Sequence, residues 1–502
     1  MKRYDELLEQ KNVRANLSAL RQMGRDGEDR EELIGFLSEN EELFLGFLEN
    51  EDAKTRKNAA LLFKDLNYER ARDALYACYR KEETLFVKSA YLQALAGMDV
   101  SPMLEELRGQ LLCLQKTPLT PENRKHVTEE IRALRAIMIR YDGIDRHTFD
   151  IKQRGNQVLL VTNRNHREVV RRMVPGASLH PLGVWVQTDD LPALLQVRTY
   201  RELLFPMGER AIVPAEPAAA AEQLAPWMLS LCRRCHKEEG SFYFRVECQG
   251  VRTLEERSTL TRRLGAYLEE QTNGGLVNSP KDYEVELRLV ESREGAFFPC
   301  LKFYTLPDHR FDYRRHAISA SIHPSTAALI AELAKPYLKE NAQVMDPFCG
   351  VGTMLIERDI AVPAKEKYAT DIFGDAIAYG RENAHHAGMD IHFIHRDYFD
   401  FRHEYPFDEI ITNMPLRGKR TKEEMDKLYG AFFDKSKEIL ATEAVLVMYT
   451  NEIGFVKKHL RLRAEYRLLQ ETCMQKRSGF YLLVIGYDAR RKGGSSKHAA
   501  VV

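Results

Sequence analysis

VMDPFCGVGTMLIE, from Val344 to Glu357, is the most informative turn in this 502-residue chain. Two apolar residues, Val344 and Met345, lead into an acid, Asp346; the chain then passes through Gly350 and Gly352 into a segment with apolar residues at helical spacing. A strand ending at an acid, then a glycine loop, then a helix start is the opening of a parallel strand-helix-strand unit. The glycines remove side-chain bulk, so a ligand can approach the backbone, and the first helical turn presents amides with no partner of their own. A nucleotide-like cofactor fits such a turn, with Asp346, Pro347, Phe348, Cys349, Gly350, Gly352 and Thr353 around it.

The residues that follow agree. About 20 residues after Gly350 a second apparent strand, KYATD, ends at Asp371, the spacing expected of an acid that hydrogen-bonds ribose hydroxyls. A third, IHFIHRD, ends at Asp397, placed to accept from an adenine amine with Ile372 and Tyr398 flanking the ring. Three surface acids capping three turns is the plainer reading, but order and spacing together favour a site. The fourth strand, DEIITN, ends at Asn413 and continues as Met414, Pro415, Leu416 and Arg417. An Asn oxygen and the next backbone carbonyl are two acceptors that can hold an exocyclic amine, draw its lone pair out of conjugation and aim it at a methyl group. Pro415 stiffens the turn. Methyl transfer from S-adenosylmethionine to such an amine depends on positioning and desolvation more than on a strong base, so the lack of an evident His and acid pair is no objection.

Outward from this site, residues 317–487 alternate helix and strand as in a doubly wound α/β domain. The chain is long enough for about three or four domains, and 44% hydrophobic residues exclude disorder as a whole. Residues 1–142 read as helical, and the pattern around Ala59, Ala60, Leu61 and Leu62 recurs around Ala90, Tyr91, Leu92 and Leu95, with a looser copy at Ala15, Leu17 and Leu20. These resemble HEAT-like repeats, either a platform for RNA or a protein partner or simply a packing appendage. QVLLVTN and VWVQTD mark a small α+β unit over 143–213, PAEPAAAAE suits a linker or an exposed helix start and marks a boundary over 214–226, and FYFRVEC, YEVELRLVE and FFPCLKFYTL belong to a second α+β unit over 227–316. Residues 488–502 are basic, glycine-rich and poor in apolar residues, the composition of a disordered tail.

Charge and cysteine usage narrow the setting. Lys plus Arg and Asp plus Glu number 74 each, so nucleic-acid binding requires a local basic patch. The start lacks the apolar core of a secretory signal, and no apolar run approaches the roughly 20 residues of a membrane span; the expected location is cytoplasmic, with no membrane partner. The eight cysteines are scattered, as in reduced thiols. Cys232, Cys235 and His236 form CxxCH, half of a zinc site or a haem attachment pattern, but without a second ligand pair or an export signal a helical core pattern is preferred and no metal is expected.

DPFCGVGT, Asp371, Asp397 and the Asn-x-Pro-x turn, preceded by RFDYRRHAISASIHPSTAALIAEL, resemble the class I methyltransferase domain of THUMP-containing guanine N-methyltransferases that act on tRNA or ribosomal RNA. The resemblance extends over roughly the last 360 residues: 227–316 is similar to the THUMP domain and 143–213 to the ferredoxin-like unit that accompanies it, while the helical N-terminus has no counterpart. It implies S-adenosylmethionine as cofactor, RNA as partner, and Ser321 and Ser325 near the cofactor's methionine end. The family reads Asn-Pro-Pro-Tyr where this chain has Asn413, Met414, Pro415 and Leu416. Met414 still supplies a carbonyl, but the lost aromatic forfeits stacking worth about 1 to 3 kcal/mol per base, which Arg417 could replace because guanidinium planes also stack on bases.

The expected architecture is thus a HEAT-like helical N-terminus, a ferredoxin-like and THUMP-like α+β middle and a C-terminal Rossmann-like methyltransferase. The expected activity is methylation of a guanine exocyclic amine, in tRNA before ribosomal RNA. A DNA adenine amine methyltransferase and a catalytically silent RNA-binding or assembly protein are the alternatives. Arg417, Lys419 and Arg420 beside the turn, and Arg310, Arg314 and Arg315 before the domain, are basic clusters that suit RNA phosphates or solvated surface equally.

Overall fold

A computed structural model of the chain describes residues 2–26, 30–118 and 120–491. Its C-terminal sheet has seven strands: β1 (Gln343–Asp346), β2 (Glu366–Asp371), β3 (His392–His395), β4 (Phe407–Asn413), β5 (Leu440–Thr450), β6 (Tyr466–Gln475) and β7 (Phe480–Asp488). Their order is β3-β2-β1-β4-β5-β7-β6. The first five are parallel, and β7 runs antiparallel to both its neighbours.

Period-two alternation along these strands sends alternate side chains into two cores. Val344, Ile411, Val447, Leu482 and Val484 face helices Pro324–Ala334, Thr353–Ala361 and Gly374–His386. Met345, Ile410, Leu446, Met448, Leu483 and Ile485 face helix Lys422–Ile439, which contributes Met425, Tyr429, Phe432 and Phe433. A sheet covered on both faces explains why its strands read as nearly unbroken apolar runs. Helix Lys422–Ile439 begins with a capping box, the Thr421 amide donating to Glu424 at 2.7 Å and the Glu424 amide to the Thr421 hydroxyl at 3.2 Å. Between the carboxyl ends of β2 and β3 on one side and β4 on the other lies β1, where the order of connection reverses; ligands of open α/β sheets bind at such a switch point.

The chain divides into two compact units, one of residues up to His147 with 240–246 and 259–284, the other of 148–239, 247–258 and the residues from Val285 onward. In the second, strands Asn156–Val161, Ser178–His180, Gly183–Thr188, Glu202–Pro206, Val285–Glu291 and Phe297–Phe303 pair antiparallel. The pairing of Phe205 with Leu301 joins the stretches expected to form separate α+β units over 143–213 and 227–316, so their strands belong to one sheet. The expected linker 214–226 is another difference, because Pro217–Cys235 is a helix. Proline at its first position is preorganised for helix, four alanines follow, and the Glu216 carboxylate caps the Ala219 amide at 2.7 Å. Cys232 and Cys235 are buried in that helix, while His236 bonds the Cys232 carbonyl and the Thr305 hydroxyl, both at 2.7 Å. Those are core and helix-end roles.

The first unit holds helices up to Asp142 with no strand among their described residues. Helix Ala53–Leu66 packs between Val13–Asp26 and Leu85–Leu95, and the recurring Leu17, Leu20, Ala59, Ala60, Leu62, Ala90, Leu92 and Leu95 share one core. In the same unit Arg132 pairs with buried Glu269 at 3.0 Å, and strand residues Phe242 to Phe244 run parallel to Leu276 to Asn278. The tail expected over 488–502 lies almost wholly outside the described residues; Asp488 itself ends β7. No helix among the described residues is long and apolar enough to cross a membrane.

Candidate functional site

The glycine loop after β1 is drawn onto β2. The Cys349 amide donates to the Thr370 carbonyl at 3.0 Å, the Thr370 hydroxyl to the Pro347 carbonyl at 3.0 Å, and the Gly350 amide to Asp371 Oδ2 at 2.9 Å. Asp371 Oδ1 accepts the Phe373 amide at 3.0 Å, so this carboxylate braces two loops. Each oxygen keeps a further lone pair for a ligand hydroxyl. Gly350 and Gly352 have φ of 50° and 80°, in the left-handed region that glycine enters without strain.

One cavity runs along the carboxyl ends of β1, β2 and β4. It is bordered by Asp346, Pro347, Phe348, Cys349, Gly350 and Thr353, by Asp371, Ile372, Asp397 and Tyr398, by Ser321, and by Asn413, Met414, Pro415 and Leu416. Two expected members lie outside it. Gly352 caps the following helix, and a Cβ there would come within 2.8 Å of the Phe393 ring, so its contribution is packing. Arg417 turns back on its loop and donates to the Arg420 carbonyl at 3.1 Å; Arg420 is the basic residue on the cavity wall, itself donating to the Leu416 carbonyl at 3.1 Å. Two roles also shift. Tyr398 is 1% exposed and its hydroxyl bonds Ser436, so its ring belongs to the core, whereas Phe373, 63% exposed, and Phe399 present further aromatic surface to the cavity. Asp397 lies two residues beyond the end of β3 and caps the Phe399 amide at 3.0 Å.

Of the residues read before this domain, Ser321 holds the Ile318 amide at 2.9 Å at the cavity wall, but Ser325 is buried against His323 and away from the cavity. Arg310 is no surface cation: it is buried, bonded to Asp308 and to the Val197 and Tyr200 carbonyls. Arg314 donates to the Ile322 carbonyl at 3.1 Å, and Arg315 is exposed. Sequence reasoning missed Phe373, Phe399, Ile318, Ile322, Met354, Leu428 and the cavity-facing role of Arg420. Phe373 had a signal, a second large apolar residue directly after a strand-end acid; Leu428 had none, because it comes from a distant helix.

Electrostatics single out Asp346. It is almost wholly buried, Oδ1 accepts the Phe348 amide at 3.1 Å, and Oδ2 makes no well-formed hydrogen bond, although the Thr412 hydroxyl acts on the carboxyl. Burial pushes its carboxyl up to about 7, opposed by Thr412 and the Phe348 amide and reinforced by Asp371. A buried carboxylate oxygen at a cavity wall without a well-formed hydrogen bond is a receptor for a donor or a cation. Together with the Asp371 lone pairs, the exposed Ile372 and Phe373 and the small-residue loop, these donor sets fit an adenine nucleoside that bears an ammonium group. Burial holds the neighbouring Cys349 thiol neutral.

Residues 312–477 match the model of a family described as an RMKL-like methyltransferase domain. The chain is 26% identical over 223 residues to a tRNA (guanine(10)-N2)-dimethyltransferase of Methanothermobacter thermautotrophicus, covering 42% of this chain and 64% of that protein. It is 28% identical over 190 residues to a ribosomal protein L11 methyltransferase of Thermotoga petrophila, covering 35% and 68% respectively. The chain thus spans less than two thirds of the first of these relatives. Among solved structures, TrmN from Thermus thermophilus superposes with a TM-score of 0.49 at 20% identity, over 66% of this chain and 99% of that one. The chain carries a methyltransferase domain, and its cofactor is S-adenosylmethionine.

Proposed function

We propose that the chain methylates the exocyclic amine of a guanine in RNA, tRNA before ribosomal RNA. The observation that carries this reading is the Asn413 and Met414 turn at the wall of the cofactor cavity. β4 delivers Asn413 beside Tyr449 of β5, the Met414 amide donates to the Tyr449 carbonyl at 2.9 Å, and Met414 is buried, so the turn is held rigidly. S-adenosylmethionine, when bound, supplies an electrophilic methyl group. The Asn413 oxygen and the Met414 carbonyl accept the two N–H bonds of an amine and orient its lone pair, while the apolar wall of Phe348, Met414 and Leu416 excludes water. No side chain needs to act as a strong base first: as the N–CH3 bond forms with departure of S-adenosylhomocysteine, the nitrogen becomes cationic and acidic, and its proton passes to solvent water afterwards.

The relative named for a tRNA guanine supports this substrate over DNA. In this reading the THUMP-like 227–316 and the HEAT-like helices grip the RNA in the cytoplasm, and Arg417, Lys419 and Arg420 flank its entry to the cavity. Leu416, 47% exposed where an aromatic would stack on the base, favours a second reading, a silent RNA binder. Nucleoside mass spectrometry of tRNA and ribosomal RNA from cells with and without the protein, and transfer to tRNA against duplex DNA in vitro, separate the readings. Asn413→Ala should lower kcat by about a hundredfold or more, with little change in S-adenosylmethionine affinity, because such electrostatic positioning acts in the transition state. Leu416→Tyr should raise transfer or leave it unaltered. Full activity in Asn413→Ala would remove the turn from the mechanism, and transfer by Leu416→Tyr but not by wild type would establish the silent binder.

A further inference from the structure

Helix Gly374–His386 buries one polar side chain that does not itself line the cavity yet ties Val351 on its wall to His316, at the start of a strap that borders it. Asn383 is 0% exposed. Its Nδ2 donates to the His316 carbonyl at 3.0 Å and to the Val351 carbonyl at 3.2 Å, and its Oδ1 accepts the His316 amide at 3.0 Å. Both amide donors are thereby used, and both main-chain groups of His316 are captured by one side chain. Val351 lies between the two glycines of the loop. His316 opens an irregular strap whose Ile318, Ala320, Ser321 and Ile322 border the cavity. Ile318 rests over Gly350, 4.0 Å from where a Cβ would stand. One helical turn away on the same face, the Tyr379 ring stacks on His316 at 4.6 Å and 11°, and Glu382 bonds the imidazole.

We propose that Asn383 is a positioning residue for the cofactor: it bolts the 316–322 strap to the glycine loop, so that this side of the cavity opens only when the amide's bonds break. The inference rests on the cavity being the S-adenosylmethionine site and on nothing about the RNA. An ordinary buried Asn would support the helix alone; this one makes one bond to the glycine loop and two to His316, at the start of the strap, and none to its own helix. Asn383→Asp keeps the shape but turns lone pairs toward two carbonyl oxygens, and a buried group so frustrated should weaken S-adenosylmethionine binding roughly tenfold or more, through faster release.

The test uses the full chain, with S-adenosylmethionine affinity and release rate measured for wild type and Asn383→Asp and hydrogen exchange followed with and without cofactor. The expected result is weaker binding in Asn383→Asp with RNA affinity unchanged, and faster exchange confined to 316–322 and 349–353 while helix Pro324–Ala334 keeps its protection. A folded Asn383→Asp that binds S-adenosylmethionine within about twofold of wild type would overturn the proposal. Should that variant fail to fold, wild type decides: cofactor must slow exchange of the strap and the glycine loop together, and a strap that stays unaffected would overturn the proposal equally. A wild type that bound no S-adenosylmethionine would overturn the cofactor assignment and this inference with it, whereas bound cofactor without RNA methylation would overturn only the proposed substrate.

Discussion

Asp346 combines two properties that are costly together, near-complete burial and an oxygen that makes no well-formed hydrogen bond. Burial raises its carboxyl from the ordinary 3.8 to about 7, so the folded chain holds this proton more tightly than the unfolded one. The stability that protonation confers is therefore complete below about pH 4 and lost as the pH rises through about 7. Cofactor binding reverses the preference, because a cationic donor at Oδ2 favours the charged carboxylate. S-adenosylmethionine affinity should climb with pH up to about 7 and then level off, with a proton released on binding below that point. Calorimetry in buffers of different ionisation enthalpy reads that proton, and Asp346→Asn should flatten the profile; a wild-type affinity that fell over the same range would assign Oδ2 a different partner. Asp371 has a double duty, because the carboxylate that should hold the ribose also holds Gly350 and Phe373. Asp371→Ala should weaken cofactor binding by more than about tenfold, and Asp371→Asn less, since one acceptor survives; unchanged affinity in a folded Asp371→Ala would displace the ribose from β2.

At the level of elements, Phe393 of β3 shows why Gly380 sits where helix propensity opposes it. A Cβ on Gly380, inside helix Gly374–His386, would approach the Phe393 ring to 2.4 Å, and one on Gly352 to 2.8 Å. Alanine in a helix interior ordinarily gains about 0.5 to 1 kcal/mol over glycine, whereas overpacking costs about 1 to 3 kcal/mol, so Gly380→Ala should lower the thermal midpoint. Adding Phe393→Leu should recover part of the loss. A stabilised Gly380→Ala would mean that the ring yields freely. The sequence made β1, β2 and β4 legible because each is an apolar run ending in a polar residue at the cavity, and β3 was placed but drawn too long at Asp397. It did not reveal the pairing of Glu202–Pro206 with Phe297–Phe303, because strand partners so far apart leave no local signal and a five-residue strand has little periodicity to read. PAEPAAAAE suits a linker or a helix start, since proline and alanine fit both, and the Glu216 cap resolves it as a helix start. In the site, the polar residues at the strand ends and Ser321 are read from the sequence, whereas Phe373 and the residues Ile318, Phe399 and Leu428 are not.

For the whole molecule, the division into units changes what removal of the N-terminal helices should do. All the cavity residues named above, from Ile318 to Leu428, belong to the second unit, so a chain beginning near residue 143 should bind S-adenosylmethionine as tightly as the full protein. The helices are nonetheless not a free appendage, because their unit includes 259–284. Glu269 is buried, burial raises its carboxyl, and Arg132 and Arg135 oppose that rise. Truncation takes both guanidinium groups away and leaves the carboxylate without its 3.0 Å partner, a change that destabilises its surroundings when the remaining charge stays buried. Limited proteolysis should therefore cut the truncated chain first within 259–284, under conditions in which the α/β domain survives and still binds cofactor. Arg132→Ala in the full chain should reproduce part of that sensitivity, less strongly because its side chain is 43% exposed and such pairs are screened by solvent. If RNA is gripped from this unit, tRNA affinity should fall in the truncated chain and in the proteolysed full chain alike, with cofactor affinity constant in both. Loss of S-adenosylmethionine binding on truncation would instead mean that the α/β domain depends on the helices for its own fold, and equal protease resistance of 259–284 with and without them would deny that the two form one unit.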